Sequence, residues 1–148
     1  MSIEANRILL VEDDPNDVEL VQLALEPYHL NASIDIATDG EQALRYLLQQ
    51  DYATSPAVSL PRLVLLDLKL PKVSGLHVLQ TLRAHPKTRR LVVVVMTSSQ
   101  EDSDLTACYE LGVNSYIVKP LEYQQFVDVA RNVGLYWMVL NIPPPLPD

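Results

Sequence analysis

The chain has one cysteine, Cys108, among 148 residues, so no internal disulfide can staple the fold. Basic residues are also scarce: eleven Lys and Arg stand against nineteen Asp and Glu, a formal net charge of -8. That balance disfavours nucleic acid and anionic membrane surfaces as partners, since both are held by a basic face. Long apolar runs are missing. The longest, around Leu91 to Met96, has the length of a strand, and the N-terminal stretch from Met1 to Arg7 lacks the apolar core of a signal peptide. These absences point to a cytoplasmic protein. The histidines His29, His77 and His85 fall on different elements with no metal-ligand spacing, so no zinc-type cluster is expected.

What is present is an ordinary globular composition, 48% hydrophobic and 20% charged, long enough to bury one core. A single domain over residues 1–148 is expected, with its core at about 7–140 and a Pro-rich tail over 141–148. Leu63-Val64-Leu65-Leu66-Asp67 stands at its centre: four aliphatic residues after Pro61, then one carboxylate. Such a run reads as a strand buried on both faces inside a parallel sheet. An acid at its carboxyl end lies where open α/β sheets have their binding crevice.

Other runs repeat this design. Arg7 to Val11 is a second buried strand and ends in Glu12-Asp13-Asp14, with Asp14 placed to cap a helix begun by Pro15. Leu91 to Met96 is a third, ending at Thr97-Ser98-Ser99, and Tyr116-Ile117-Val118 leads into Lys119-Pro120. Ser33 to Ala37 completes five strands. Helical patterns follow each one: through Val18, Val21 and Leu25; through Ala43, Leu44 and Leu47; through Leu76, Leu79 and Leu82; from Leu105 to Leu111; and from Tyr123 to about Leu140. Ser99 and Asp102 have the spacing of a capping box for the fourth helix, and Gly112 sits where its end wants a left-handed residue. Gln49 to Pro61 has no period and is read as a surface loop, and Ile142 to Asp148 as an extended polyproline segment. Strict alternation of strand and helix implies a doubly wound, five-stranded parallel α/β sheet with helices on both faces.

In a parallel sheet, Glu12, Asp13, Asp67, Thr97 and Lys119 converge on one edge. Two carboxylates 4 Å apart repel by roughly 4 kcal/mol at an effective dielectric near 20, so three of them call for a cation. All-oxygen donors suit Mg²⁺, which keeps several waters and shares a phosphate oxygen. With that ion and Lys119 in place, the pocket is complementary to a phosphoryl group, and Asp67 is the nucleophile that would carry it.

In these motifs the chain resembles the receiver domain of bacterial two-component response regulators: Val11-Glu12-Asp13, Leu66-Asp67-Leu68-Lys69-Leu70-Pro71 with Gly75, Met96-Thr97-Ser98 and Val118-Lys119-Pro120. The resemblance implies the flavodoxin-like (βα)5 fold. It makes Asp67 the phosphoacceptor and Asp13 a direct Mg²⁺ ligand, with Glu12 acting through water and Lys69 through its backbone carbonyl. Thr97 becomes the switch hydroxyl, Lys119 the partner of the phosphoryl group, and Tyr116 the switch aromatic. Glu12 departs from the family's commoner Asp. The loop before the central strand, Pro71-Lys72 and the aromatic last helix resemble the single-domain regulators that partner cyanobacterial phytochromes, which implies a light-responsive histidine kinase as phosphoryl donor.

The last helix carries a stripe of Phe126, Val129, Ala130, Val133, Trp137 and Leu140, and its end is apolar nearly all round. The surplus predicts an exposed patch and a homodimer through the fourth helix, fifth strand and fifth helix, with Phe126, Val129, Trp137 and Leu140 as contacts. The competing expectation is that the tail folds back over the patch. Lys69 and Ser99, near the pocket mouth, are expected to tune phosphoryl lifetime through water access. Two other functions stay open. One is a dimeric adaptor with an unused pocket. The other is an aspartate-nucleophile phosphatase, which would want a second Asp where Lys69 stands.

Overall fold

A computed structural model describes residues 6–48 and 60–147. Among them, five strands form one sheet in the order β2-β1-β3-β4-β5, every neighbouring pair parallel. The strands are β1 Ile8–Val11, β2 Ile34–Ala37, β3 Leu63–Leu66, β4 Val93–Thr97 and β5 Ser115–Val118. The helices are α1 Pro15–Leu25, α2 Gly40–Leu48, α3 Gly75–Ala84, α4 Asp102–Glu110 and α5 Tyr123–Leu135. The doubly wound parallel sheet expected from the sequence is the fold observed. Most of the loop expected over Gln49 to Pro61 lies outside the described residues.

The period of two along each strand divides the core. Leu9, Val11, Val64, Leu66, Val93 and Val95 face α2, α3 and α4, while Ile8, Leu10, Leu63, Leu65, Val94 and Met96 face α1 and α5. Covering both faces is what makes β1 and β3 unbroken aliphatic runs and β4 apolar up to Thr97, and every residue of the three is buried. The sheet register then aligns Val11 with Leu66 and Thr97 with Val118, so the next residues along the chain emerge together at the carboxyl edge.

Local signals set the helix ends. The Asp14 carboxylate accepts from the Asn16 amide at 2.9 Å ahead of Pro15, as expected of a cap. Gly112 adopts φ 80° after α4, the left-handed conformation that glycine enters without a Cβ clash. The capping box expected at Ser99 does not form. Glu101 is the N-cap of α4 and makes no side-chain cap bond, while the Ser99 hydroxyl donates to Asp104 Oδ2 at 2.5 Å. Because Glu101 is the N-cap and α4 begins at Asp102, Ser99 lies two residues ahead of the cap and Asp102 at N1 rather than N3, so the box has no register to form in.

The last helix also differs from expectation. It is α-helical to Leu135 and continues over Tyr136–Leu140 as a wider π turn, closed by the Asn141 amide on the Tyr136 carbonyl at 2.6 Å. Phe126, expected at a dimer surface, is only 4% exposed and packs between α5 and the sheet. Its stripe is the one α5 lays on the core, so a residue expected at the dimer contact is core filling. Val129 and Trp137 are partly buried against the same cluster, whereas Leu140 is 70% exposed beside Tyr136 and Val139.

The tail leaves that patch open. Arg62, just before β3, donates through Nη2 to the Asn141 carbonyl at 2.7 Å and through Nε to the Trp137 carbonyl at 3.3 Å. Beyond it, Leu146 packs on the cluster of the opposite sheet face. The tail therefore passes across the amino edge of the sheet. It has no regular hydrogen-bonded structure over residues 141–147, as a Pro-rich segment dictates.

Candidate functional site

The backbone ladder runs one residue past the strands and sets the pocket floor. The amide of Glu12 donates to the Ala37 carbonyl at 3.0 Å, that of Asp67 to Val11 at 3.1 Å and that of Lys119 to Thr97 at 2.7 Å. Glu12, Asp67 and Lys119 are thus placed by the sheet itself and inherit its rigidity. Gly75 keeps the loop after β3 close: a Cβ there would lie 2.2 Å from the Asp67 carbonyl oxygen, so a side chain would push the phosphoacceptor candidate off its strand.

Lys119 is the electrostatic centre. Its ammonium donates to Glu12 Oε1 at 2.6 Å, Asp17 Oδ2 at 2.7 Å and Asp67 Oδ2 at 3.0 Å, and its side chain is 11% exposed. An ammonium has three N–H donors, and all three are used. Burial opposes the charge on Lys119, but the hydrogen bonds to Asp17 and Glu12 and the charge of Asp67 outweigh it and hold the pKa above its ordinary value.

Glu12 shows the opposite balance. Burial over the apolar floor of Leu10, Val21, Leu65, Met96 and Phe126 pushes its carboxyl up to about 7, against the pull of the Lys119 hydrogen bond, and the charge of Asp67 adds to the rise. Asp13 is exposed at the rim. Glu12, Asp13 and Asp67 can each bring one oxygen within 4.8 Å of the others. Counting Asp17, four carboxylates share the pocket with one ammonium, which contacts three of them, Glu12, Asp17 and Asp67. Hard oxygen donors and excess negative charge fit a divalent cation of the Mg²⁺, Mn²⁺ or Ca²⁺ type.

Thr97 is fully buried at the end of β4, and its hydroxyl accepts from the Ser99 amide at 3.3 Å. Tyr116 on β5 donates its hydroxyl to the Ser99 carbonyl at 3.0 Å. Ser99 therefore touches Thr97, Tyr116 and Asp104 of α4 through three different groups, and Thr97 and Tyr116 meet through it. Lys69 reaches Asp67 by its amide, which lies 3.4 Å from Oδ1.

Each pocket residue expected from the sequence therefore gathers at one edge, or, like Tyr116, connects to it. One participant was missed. Asp17 lies in the first turn of α1, four residues after Asp13, and the only signal available was that one-turn spacing.

The response regulator receiver domain model matches residues 8–131. The chain belongs to the receiver-domain family. Its fold is the flavodoxin-like fold of solved response regulators: the crystal structure of the phosphorylated cyanobacterial phytochrome response regulator RcpA superposes with a TM-score of 0.88 at 33% identity, covering 95% of this chain and 99% of that one. Response regulator Rcp1 of Synechocystis is 38% identical over 93% of this chain and 95% of its own length. Its Mn²⁺-bound structure superposes with a TM-score of 0.86 at 36% identity, covering 95% of this chain and 99% of that one. A probable methanogenesis regulatory protein, FilR2 of Methanothrix harundinacea, is 39% identical over 93% of this chain and 86% of its own length. This receiver domain is accordingly a response regulator of phosphorylation-dependent signalling, with an acidic pocket of the kind that holds a divalent metal. No helix among its described residues is long and apolar enough to cross a membrane.

Proposed function

We propose that this receiver domain takes a phosphoryl group from the phosphohistidine of a histidine kinase onto Asp67 and acts in the cytoplasm through protein partners, without an independent substrate. The single observation that carries the reading is the Lys119 ammonium 3.0 Å from Asp67 Oδ2 within an acidic cluster. An Asp67 oxygen attacks phosphorus as the P–N bond of the phosphohistidine breaks, the electron pair leaves with the imidazole nitrogen, and an aspartyl phosphate remains. Lys119 neutralises the charge gained by the phosphoryl oxygens, and the Thr97 hydroxyl offers them a donor once it turns from Ser99. Asp13 and Asp67, Glu12 through water and the Lys69 carbonyl would hold Mg²⁺, which when bound supplies charge neutralisation at the phosphoryl oxygens. We assign control of water access to the aspartyl phosphate to Lys69; Ser99, also expected there, is buried with its hydroxyl on Asp104, and Ser98 lines the pocket instead.

The output runs through Ser99. When Thr97 turns, the Ser99 amide loses its acceptor, and the same residue holds Tyr116 and α4. Phosphorylation thereby biases the α4 and β5 face between two arrangements. Leu105, Tyr109, Val118, Val139 and Leu140 are exposed on α4, β5 and the end of the last helix, and we assign the homodimer contact to this surface, with Leu140 and the partly buried Val129 and Trp137 retained and Phe126 withdrawn.

A phytochrome-type kinase is the donor we favour, because RcpA is a phytochrome response regulator by name and matches over 95% of this chain. FilR2, at similar identity, carries the name of a probable methanogenesis regulator and not of a phytochrome partner. The test is phosphotransfer from purified, autophosphorylated kinases, one phytochrome-type and one not light-responsive, to the protein and its Asp67→Asn variant. Transfer that is faster from the phytochrome kinase and absent in Asp67→Asn supports the reading. Equal rates from both donors would reject the light input, and transfer to neither protein would favour the adaptor. Hydrolysis of added phosphate esters in repeated turnovers would revive the phosphatase.

A further inference from the structure

We infer that Asp17 is a positioning residue for the pocket: its carboxylate anchors the Lys119 ammonium so that the third N–H of that ammonium faces Asp67. This rests on the phosphoacceptor reading above and extends it to a residue outside the acidic motif. Of the three carboxylates that Lys119 contacts, Glu12 and Asp67 also belong to the cluster fit to hold a cation. Asp17 does not. It is the one anchor that stays with Lys119 when the other two carboxylates turn to a cation or to a phosphoryl group.

The geometry is built for this. Asp17 comes from the first turn of α1, whose start is fixed by the Asp14 cap and Pro15, and it reaches Lys119 at 2.7 Å with its side chain 21% exposed. Lys119 arrives from the opposite side, on the end of β5 ahead of Pro120, whose ring restricts the backbone of the residue before it. A lysine stem carries four rotatable carbons and a compact charge, so its head goes where its partners hold it. Two short bonds, to Glu12 and Asp17, fix the ammonium, and the longer one at 3.0 Å leaves Asp67 the most readily exchanged partner. Without Asp17 the ammonium settles between Glu12 and Asp67 and competes with the cation for both.

A charge-matched pair of variants separates anchoring from simple removal of a negative charge. Asp17→Asn loses the ion pair. Asp14→Asn removes a carboxylate from the same pocket mouth but keeps the helix cap, since Asn caps as well as Asp. Phosphoryl uptake from acetyl phosphate is followed by intact mass, and Mn²⁺ affinity by calorimetry on the unphosphorylated protein. Relative to Asp14→Asn, Asp17→Asn is expected to slow uptake about tenfold through misplacement of Lys119 and to weaken Mn²⁺ binding about tenfold through loss of outer support.

Both differences vanish in a Lys119→Met background, and Asp17→Glu, which keeps a carboxylate within reach, recovers part of each. Equal behaviour of Asp17→Asn and Asp14→Asn, or differences that persist in Lys119→Met, would overturn the inference. Should the wild-type protein take up no phosphoryl group, the phosphoacceptor reading fails by itself, and the Mn²⁺ affinities alone decide the role of Asp17. Should Asp17→Asn fail to fold, Asp17→Glu takes its place: a lengthened carboxylate that shifts the ammonium should slow uptake and weaken Mn²⁺ binding by a smaller factor, and wild-type values for both would overturn the inference.

Discussion

The two edges of the sheet are built from the same five strands and do opposite work. At the carboxyl edge, three carboxylates converge on one lysine, and Glu12 is held above the ordinary range of a carboxyl by burial. At the amino edge, Arg62 reaches the carbonyls of Trp137 and Asn141, and Leu146 closes over the core. One edge carries unbalanced charge whose relief depends on what binds. The other ties Arg62 to backbone acceptors of the tail and pairs Arg7 with Asp35, each positive charge meeting its acceptors within the chain. Reactivity in this fold is placed where the ladder ends in polar side chains, away from the edge that the tail crosses.

The largest effect that would break this contrast is expected at Lys119. Lys119→Met leaves Glu12, Asp17 and Asp67 without their shared cation, and removing one partner of a buried ion pair typically costs about 3 kcal/mol or more. Urea denaturation in chelator at pH 8 should show that loss, and a divalent cation should restore part of it. If Lys119→Met is as stable as wild type in chelator, the carboxyl edge does not carry unbalanced charge.

The next effect sharpens the contrast through pH. The native pKa of Glu12, about 7, lies above its ordinary 4.5, so ionising Glu12 costs more in the folded than in the unfolded chain. The stability attached to its neutral form is full below about pH 4.5 and is lost as pH rises through about 7. In chelator, wild type should therefore lose on the order of 3 kcal/mol relative to Glu12→Gln across that window. A difference that does not change with pH would place Glu12 among ordinary carboxylates.

The smallest effect belongs to the amino edge. Arg62→Ala should cost about 1–2 kcal/mol, the scale of lost hydrogen bonds from a charged donor, with no dependence on divalent cation and no change in phosphoryl uptake. An effect on uptake would show that the two edges are coupled.

The sequence makes the first edge more legible than the second. Asp67 and Thr97 follow aliphatic runs whose buried, parallel character is written in consecutive residues, and Lys119 follows the half-buried edge strand β5, so placing the strands places the pocket. Asp17 escapes because its role needs a partner 102 residues away and a helix phase that its own neighbours do not reveal. Phe126 is misjudged because a helix apolar on several sides does not say which stripe meets the sheet; α5 buries Phe126, Val127, Ala130, Val133 and Gly134, a wider face than one stripe. Ser99 carries a local capping signal that loses to Asp104, five residues on. The Arg62 contacts to the tail are bonds to backbone carbonyls, which no residue pattern announces.

That the carboxyl edge is a phosphoryl-accepting pocket centred on Asp67 is tested most directly by an intact-mass spectrum after incubation with Mg²⁺ and acetyl phosphate, beside Asp67→Asn and a chelated control. One phosphoryl adduct that requires both the cation and Asp67 is the predicted result. A folded protein that gains no adduct, or gains one equally in Asp67→Asn, would contradict it.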